Sequence, residues 1–182
     1  RPIEVVWLDS DKREHVYRDC YSYDPVLNQA ELAEFNAGRH TRAQHLLGAH
    51  EMTIDECAGY LFAVWAPNAG RVSVVGDFNG WDGRCHPMRV RDSSGVWELF
   101  IPGIAHDELY KFEIRNRESG KIFVKSDPWG RRYELRPATA SITTPPSRFS
   151  WSDQEWLARD NPVYTDFARY LSALGVSSIS FH

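Results

Sequence analysis

The chain has 182 residues, with 42% hydrophobic residues, 25% charged residues and a formal net charge of −4. That is room for one full domain plus smaller pieces, of ordinary globular composition. The slight acidic surplus, with no Lys/Arg run, argues against a nucleic-acid partner, and no apolar stretch is long enough for a bilayer-spanning helix.

Residues 1–24 alternate. Ile3, Val5 and Trp7 share one parity, and Asp9-Ser10-Asp11-Lys12 turns the chain into His15-Val16-Tyr17. This pattern predicts a β-hairpin. A lone hairpin is marginal in water, so it is expected to belong to a preceding sandwich. Pro25, Leu27, Ala30, Leu32 and Phe35, with Gly38 beyond them, carry helical spacing, and the Pro-first, Gly-last arrangement predicts a connecting helix over 25–37.

From about residue 58 the pattern turns strand-like. Leu61–Ala66, Arg71–Val75, Val96–Ile101, Leu109–Ile114 and Ile122–Val124 are short apolar runs separated by Gly, Pro and Asn. No helical pattern lies between them, which predicts an antiparallel, immunoglobulin-like β-sandwich. Trp65 and Trp97, inside such runs, are expected in its core. After Pro145-Pro146 comes a polar linker with Trp151 and Trp156. Phe167, Tyr170, Leu171 and Leu174 then follow a helical period up to Gly175, and Val176–Phe181 has the look of a short strand.

Chemistry-bearing motifs are scarce. There is no Gly-rich phosphate loop, Gly-x-Ser-x-Gly elbow or His-Glu-x-x-His segment. The seven histidines are scattered without ligand spacing, so neither a metal nor another cofactor is expected. No carboxylate pair is recognisable as a glycosidase acid and base; Asp127, before Pro128, reads as a turn former. Cys20, Cys57 and Cys85 are odd in number and lack Cys-x-x-Cys spacing. They read as reduced thiols of a cytoplasmic protein. The chain starts at Arg1 rather than Met, as expected of a piece of a longer polypeptide.

One segment is specific: Trp65-Ala66-Pro67-Asn68-Ala69, then Val72-Ser73-Val74-Val75-Gly76-Asp77-Phe78-Asn79-Gly80-Trp81-Asp82, followed by Leu109–Ile114 and Lys125-Ser126-Asp127-Pro128. It resembles the carbohydrate-binding module family 48 domain that precedes the catalytic barrel of branching and debranching enzymes. Leu47-Gly48-Ala49-His50, His86-Pro87-Met88, Gly95–Gly103 and Arg136–Ser141 make the resemblance closest to bacterial glycogen branching enzymes, over roughly residues 17–160. The resemblance implies an α-1,4-glucan (glycogen-type) partner and a role in glycogen synthesis. It also implies contact with a catalytic barrel, whose carboxylates would lie beyond this chain, so no residue here inherits a catalytic role. The branching transferase activity belongs to the parent. The alternatives are a purely structural domain that orients the barrel, and a module of a related debranching hydrolase.

On this reading residues 1–24 are a hairpin remnant, 25–56 a connecting helix and linker, 57–146 the carbohydrate-binding sandwich, and 147–182 a linker and a truncated start of a (β/α) barrel. The tentative sugar-binding residues are Trp81, Asn79 and Lys111. Gly76 and Gly80 permit a tight turn, Asn79 can fasten it, and the turn would present the Trp81 ring, which suits the C–H face of a pyranose. The same ring would equally serve as a lid on the sandwich or a pad against the barrel. Lys111 alternates with Tyr110 and Phe112 and so points away from them, free to donate to hydroxyls. Sugar-binding members carry a second aromatic three residues before the Asp-Pro step. Here that position is Val124, with Phe123 on the opposite face.

Overall fold

A computed structural model of the protein describes residues 3–147, 149, 150 and 152. The predicted hairpin is present: β1 (Glu4–Leu8) pairs antiparallel with β2 (Glu14–Arg18), Val6 opposite Val16. Its turn is held by Asp9, whose Oδ1 accepts the N–H groups of Asp11 and Arg13, both at 2.9 Å.

Helix α1 runs Gln29–Asn36. It starts four residues later than Pro25 suggests, because Asn28 is the better cap: its Oδ1 accepts the Ala30 N–H at 2.8 Å. Its end is as expected. Gly38 takes φ +69°, and the Gly38 and Arg39 N–H groups reach back to Phe35 O and Glu34 O, a Schellman closure.

Among the described residues nine further strands follow: β3 (Gly48–Ile54), β4 (Cys57–Trp65), β5 (Ala69–Gly76), β6 (Arg89–Val90), β7 (Val96–Pro102), β8 (Leu109–Asn116), β9 (Ile122–Lys125), β10 (Arg132–Tyr133) and β11 (Ser141–Ile142). One sheet has the order β3-β4-β7-β6. The other has β10-β11-β8-β5, with β9 also on β8, and all neighbours are antiparallel. This is the expected immunoglobulin-like sandwich. β3 lies in the stretch read as helix and linker, yet it pairs with β4 from Gly48↔Ala63 to Ile54↔Cys57. The elements named here belong to one compact unit, Arg1–Pro146. The linker with Trp151 and Trp156, and the helix and strand expected after it, lie outside the described residues.

The core between the sheets is built by alternate residues. Tyr60, Phe62 and Val64 of β4 and Trp97, Leu99 and Ile101 of β7 meet Val72 and Val74 of β5 and Tyr110 and Phe112 of β8. The other faces of β4 and β7 are buried too. Leu61, Ala63, Val96 and Phe100 pack under Tyr23, Leu27, Leu32, Leu46 and Leu47 from the segment around α1. Covering on both sides is why β4 reads as an unbroken apolar run, and β7 as one interrupted at Glu98, rather than as alternations. Trp97 is core, 7% exposed, with its indole N–H on Ala66 O at 3.0 Å. Trp65 is not: it is 54% exposed, because it ends β4 past the last covered position, where its ring meets the edge of Phe35.

Inside the second layer sits an acidic side chain. Glu98, 2% exposed, accepts the Val26 N–H at 3.0 Å and the Leu27 N–H at 2.9 Å, and pairs with Arg91 Nη1 at 2.6 Å. Arg91 in turn donates to Leu27 O at 2.8 Å. The strap of residues 21–27 is therefore fastened by a buried ion pair.

Asp127 forms the expected Asx turn, accepting the Trp129 N–H across Pro128 at 2.8 Å. It is also fully buried: Tyr110 donates to its Oδ2 at 2.6 Å, and its own N–H goes to Ser141 Oγ at 2.9 Å. Burial pushes the Asp127 carboxyl above the usual carboxylate range, against the two hydrogen bonds that lower it. A carboxyl raised on folding stabilises below its unfolded pKa, and that contribution is lost as pH rises through the folded value. Urea denaturation of the wild type and Asp127→Asn should therefore show the stability difference shifting in favour of Asn from acid to neutral pH. A difference that is constant with pH would refute this.

Candidate functional site

The Trp81 turn grows out of the end of β5. Gly76 is the last strand residue, Asp77–Asn79 form a single 3-10 turn, and Gly80 follows in the left-handed region at φ +61°. Trp81 stays there too, at φ +62°. For a bulky residue this is a conformation that costs on the order of 1–3 kcal/mol and persists only where its surroundings impose it. They do so by two bonds: the Trp81 N–H donates to Gly76 O at 3.0 Å, and its indole N–H donates to Asp77 Oδ1 at 2.8 Å. The ring, 39% exposed, is thus fixed from both ends.

Asn79 fastens the turn, as its residue type suggests. Its Oδ1 accepts the Gly76 N–H at 3.0 Å, and its Nδ2 donates to Val74 O at 2.9 Å and to His86 Nδ1 at 2.8 Å. Both amide hydrogens are spent inward, so little of this side chain is left for a ligand.

Lys111 lies on the outer face of β8, opposite Val75 and next to the root of the turn. Tyr110 and Phe112 on either side are fully buried, so the alternation holds. Its Nζ donates to Thr139 Oγ1 at 2.7 Å. The far end of the turn folds back over the same face: a Cβ at Gly83 would stand 2.2 Å from Glu113 Oε1, two residues along from Lys111. Glu113 is itself paired with Arg71 at 2.6 Å. The end of the turn at Gly83 and the Lys111 position therefore border one face of β8. Val124 joins it, since it pairs with Glu113, while Phe123 pairs with Ile114 and takes the opposite parity. Val124 brings no ring to that face.

Asp77, His86 and Thr139 make these contacts, although sequence reasoning gives them no part in the site. The spacing of Asp77 and Trp81 is a usable signal for the first. Nothing local marks His86 or Thr139, because their partners are a side chain seven residues away and one on another strand. Among the described residues no three His, Cys, Asp or Glu gather to hold a metal, and no helix is long and apolar enough to cross a membrane. All three cysteines are free, Cys20 and Cys57 buried and Cys85 exposed.

Residues 46–130 match the carbohydrate-binding module 48 (isoamylase N-terminal domain) family. The chain is 52% identical over 154 residues to the 1,4-alpha-glucan branching enzyme GlgB of Cellvibrio japonicus, covering 85% of this chain and 21% of that protein. It is 56% identical over 155 residues to the GlgB of Methylococcus capsulatus, with the same coverage. The chain thus spans about a fifth of the length of these relatives, consistent with the N-terminal portion of a branching enzyme. Among solved structures, pullulanase type I from Bacillus subtilis complexed with maltose matches at a TM-score of 0.47 and 24% identity. That match covers 58% of this chain and 14% of that one.

Proposed function

We propose that this chain is the non-catalytic, glucan-binding and positioning portion of a glycogen branching enzyme. In this reading it holds α-1,4-glucan chains of the glycogen type while a catalytic barrel elsewhere in the parent transfers a segment to form an α-1,6 branch. The family of residues 46–130 and the names of the relatives support it. The observation that carries it is the backbone strain at Trp81. A ring that only covers the sandwich gains nothing from a left-handed backbone and two dedicated hydrogen bonds, whereas a ring that must meet a ligand in one orientation does.

Trp81 stacks on the C–H face of a glucose unit, and Lys111 donates to its hydroxyls, with Thr139 holding the ammonium in place. Asn79 contributes through the turn. The parent works in the cytoplasm, a placement supported by the three unpaired cysteines. The formal charge of −4 speaks against nucleic acid as a partner.

Val124 favours a second reading, in which the domain orients the barrel without touching sugar, since a single ring offers half a platform. Titration of the chain with maltoheptaose, followed by Trp fluorescence, separates the two. Saturable binding is expected, weakened about tenfold, or ~1.4 kcal/mol, in Trp81→Ala. Binding unchanged in the variant would move the site off Trp81. No binding by the wild type would leave the orienting role.

A further inference from the structure

We propose that His86 is a positioning residue for Trp81, and that protonation of its imidazole releases the Trp81 turn and weakens glucan binding. This rests on the glucan-binding reading and adds a control to the same site.

Donors and acceptors around His86 fix its tautomer. The Asn79 amide nitrogen lies 2.8 Å from His86 Nδ1. An amide NH2 only donates, so Nδ1 must be the bare nitrogen and the ring proton sits on Nε2. A second proton on His86 would put an N–H against an NH2. Turning the Asn79 amide over does not help. Its oxygen would then accept from His86, but its NH2 would face the Gly76 N–H that the oxygen now accepts at 3.0 Å. Val74 O would lose its donor as well. No orientation of Asn79 satisfies Gly76, Val74 and a charged His86 together. Gly76 is also the residue whose carbonyl holds the Trp81 N–H. The conflict therefore falls on the root of the turn.

The surroundings offer the charged ring no relief. His86 is 9% exposed and its ring lies 5.7 Å from that of Phe78. It lines a cleft of about 390 Å³ with Ile101, Pro102 and Ile104, where the titratable and charged groups are Arg18 of β2 and Cys20. Arg18 is a cation, and burial pushes the Cys20 thiol up to about 11, so it stays neutral. On its own segment His86 has Asp77, Asp82 and Cys85. Asp77 is held by the Trp81 indole and Asp82 by Arg84, 2.6 Å from its Oδ2. Burial lowers the His86 pKa below the ordinary imidazole value.

The sign follows. A released His86 takes up its proton near the usual imidazole pKa of about 6.5, before the held one does. The fastened turn is then favoured at neutral pH and loses ground as pH falls through that range, by up to roughly tenfold per pH unit. It levels off below the lowered value of the held ring. This gives a readout that a purely structural His86 would not show.

The test follows the Trp81 indole N–H by NMR without glucan, identified by its absence in Trp81→Phe, from neutral pH down through the imidazole range. Maltoheptaose affinity is measured over the same range for the wild type, His86→Asn and His86→Ala. In the wild type the indole resonance and the affinity should change together. In His86→Asn, whose amide oxygen takes the place of Nδ1 and carries no charge, neutral-pH affinity should persist and the pH dependence should vanish. His86→Ala should bind several-fold more weakly at every pH. A wild-type indole resonance that stays constant through the range, or a His86→Asn variant that titrates like the wild type, would overturn the proposal. If the wild type binds no maltoheptaose at any pH, the glucan-binding reading fails, while the indole titration still decides the role of His86.

Discussion

Replacing Glu98 by alanine is expected to remove about 3–5 kcal/mol of folding stability, the usual cost of breaking a buried pair by deleting one partner. The size comes from what is left behind. The Val26 and Leu27 N–H groups lose their acceptors, and Arg91, only 14% exposed, keeps its charge with just Leu27 O to meet it. Each orphaned buried donor costs about 1–3 kcal/mol without any loss of packing. The damage should appear first in the strap, as faster amide exchange over residues 21–27, because these residues hold to β7 through Glu98 and to β6 through Arg89 on Tyr23 O. Urea denaturation of the Arg91→Leu and Glu98→Ala single and double variants should give a strongly non-additive cycle. A loss under 1 kcal/mol in Glu98→Ala would mean that apolar packing alone fastens the strap.

How much of this molecule is legible in its sequence depends on whether the deciding contact is local. The hairpin, strands β4, β5, β7, β8 and β9, and the closure of α1 at Gly38 follow from patterns a few residues long. β3 escapes because Gly48–Ile54 is an edge strand with mixed burial, recognisable only by its pairing with β4. Trp65 misleads because residue type and an apolar neighbourhood predict burial, whereas the strand simply outruns its cover. Glu98 shows the reverse: an acid between Trp97 and Leu99 looks like a solvated position, and only the strap arriving from 71 residues away makes it a buried anchor. At the site, the Asp-Phe-Asn-Gly-Trp-Asp run carries the family resemblance and marks the turn. The positive φ of Trp81, the inward commitment of Asn79 and the part of His86 depend on Gly76 and Val74 of the strand beneath, which no spacing rule reaches.

Gly76→Ala is expected to be the most damaging small substitution at the site, and for a reason distinct from backbone freedom. Gly76 is extended, with φ −176° and ψ −175°, a conformation any residue adopts. The obstacle is space. A Cβ there would lie 2.2 Å from Leu109 O and 2.6 Å from Phe78 Cε1, and the first is backbone of the paired strand. Strand β5 must pull away from β8 at its end, at an overpacking cost of about 1–3 kcal/mol or more. Gly76 O holds the Trp81 N–H and Gly76 N–H holds Asn79, so the same shift moves the ring and its fastening together. Maltoheptaose affinity should fall by about tenfold or more, that is by at least ~1.4 kcal/mol, alongside a lower denaturation midpoint. Gly80→Ala makes the contrast. Gly80 has open space around its missing side chain and only the left-handed φ of +61°, so alanine there costs about 1–2 kcal/mol of backbone strain without displacing β5. If Gly76→Ala kept wild-type stability and affinity, the close approach to Leu109 would not be what sets the turn. If it lost stability but kept full affinity, the position of Trp81 would not depend on the strand that carries it.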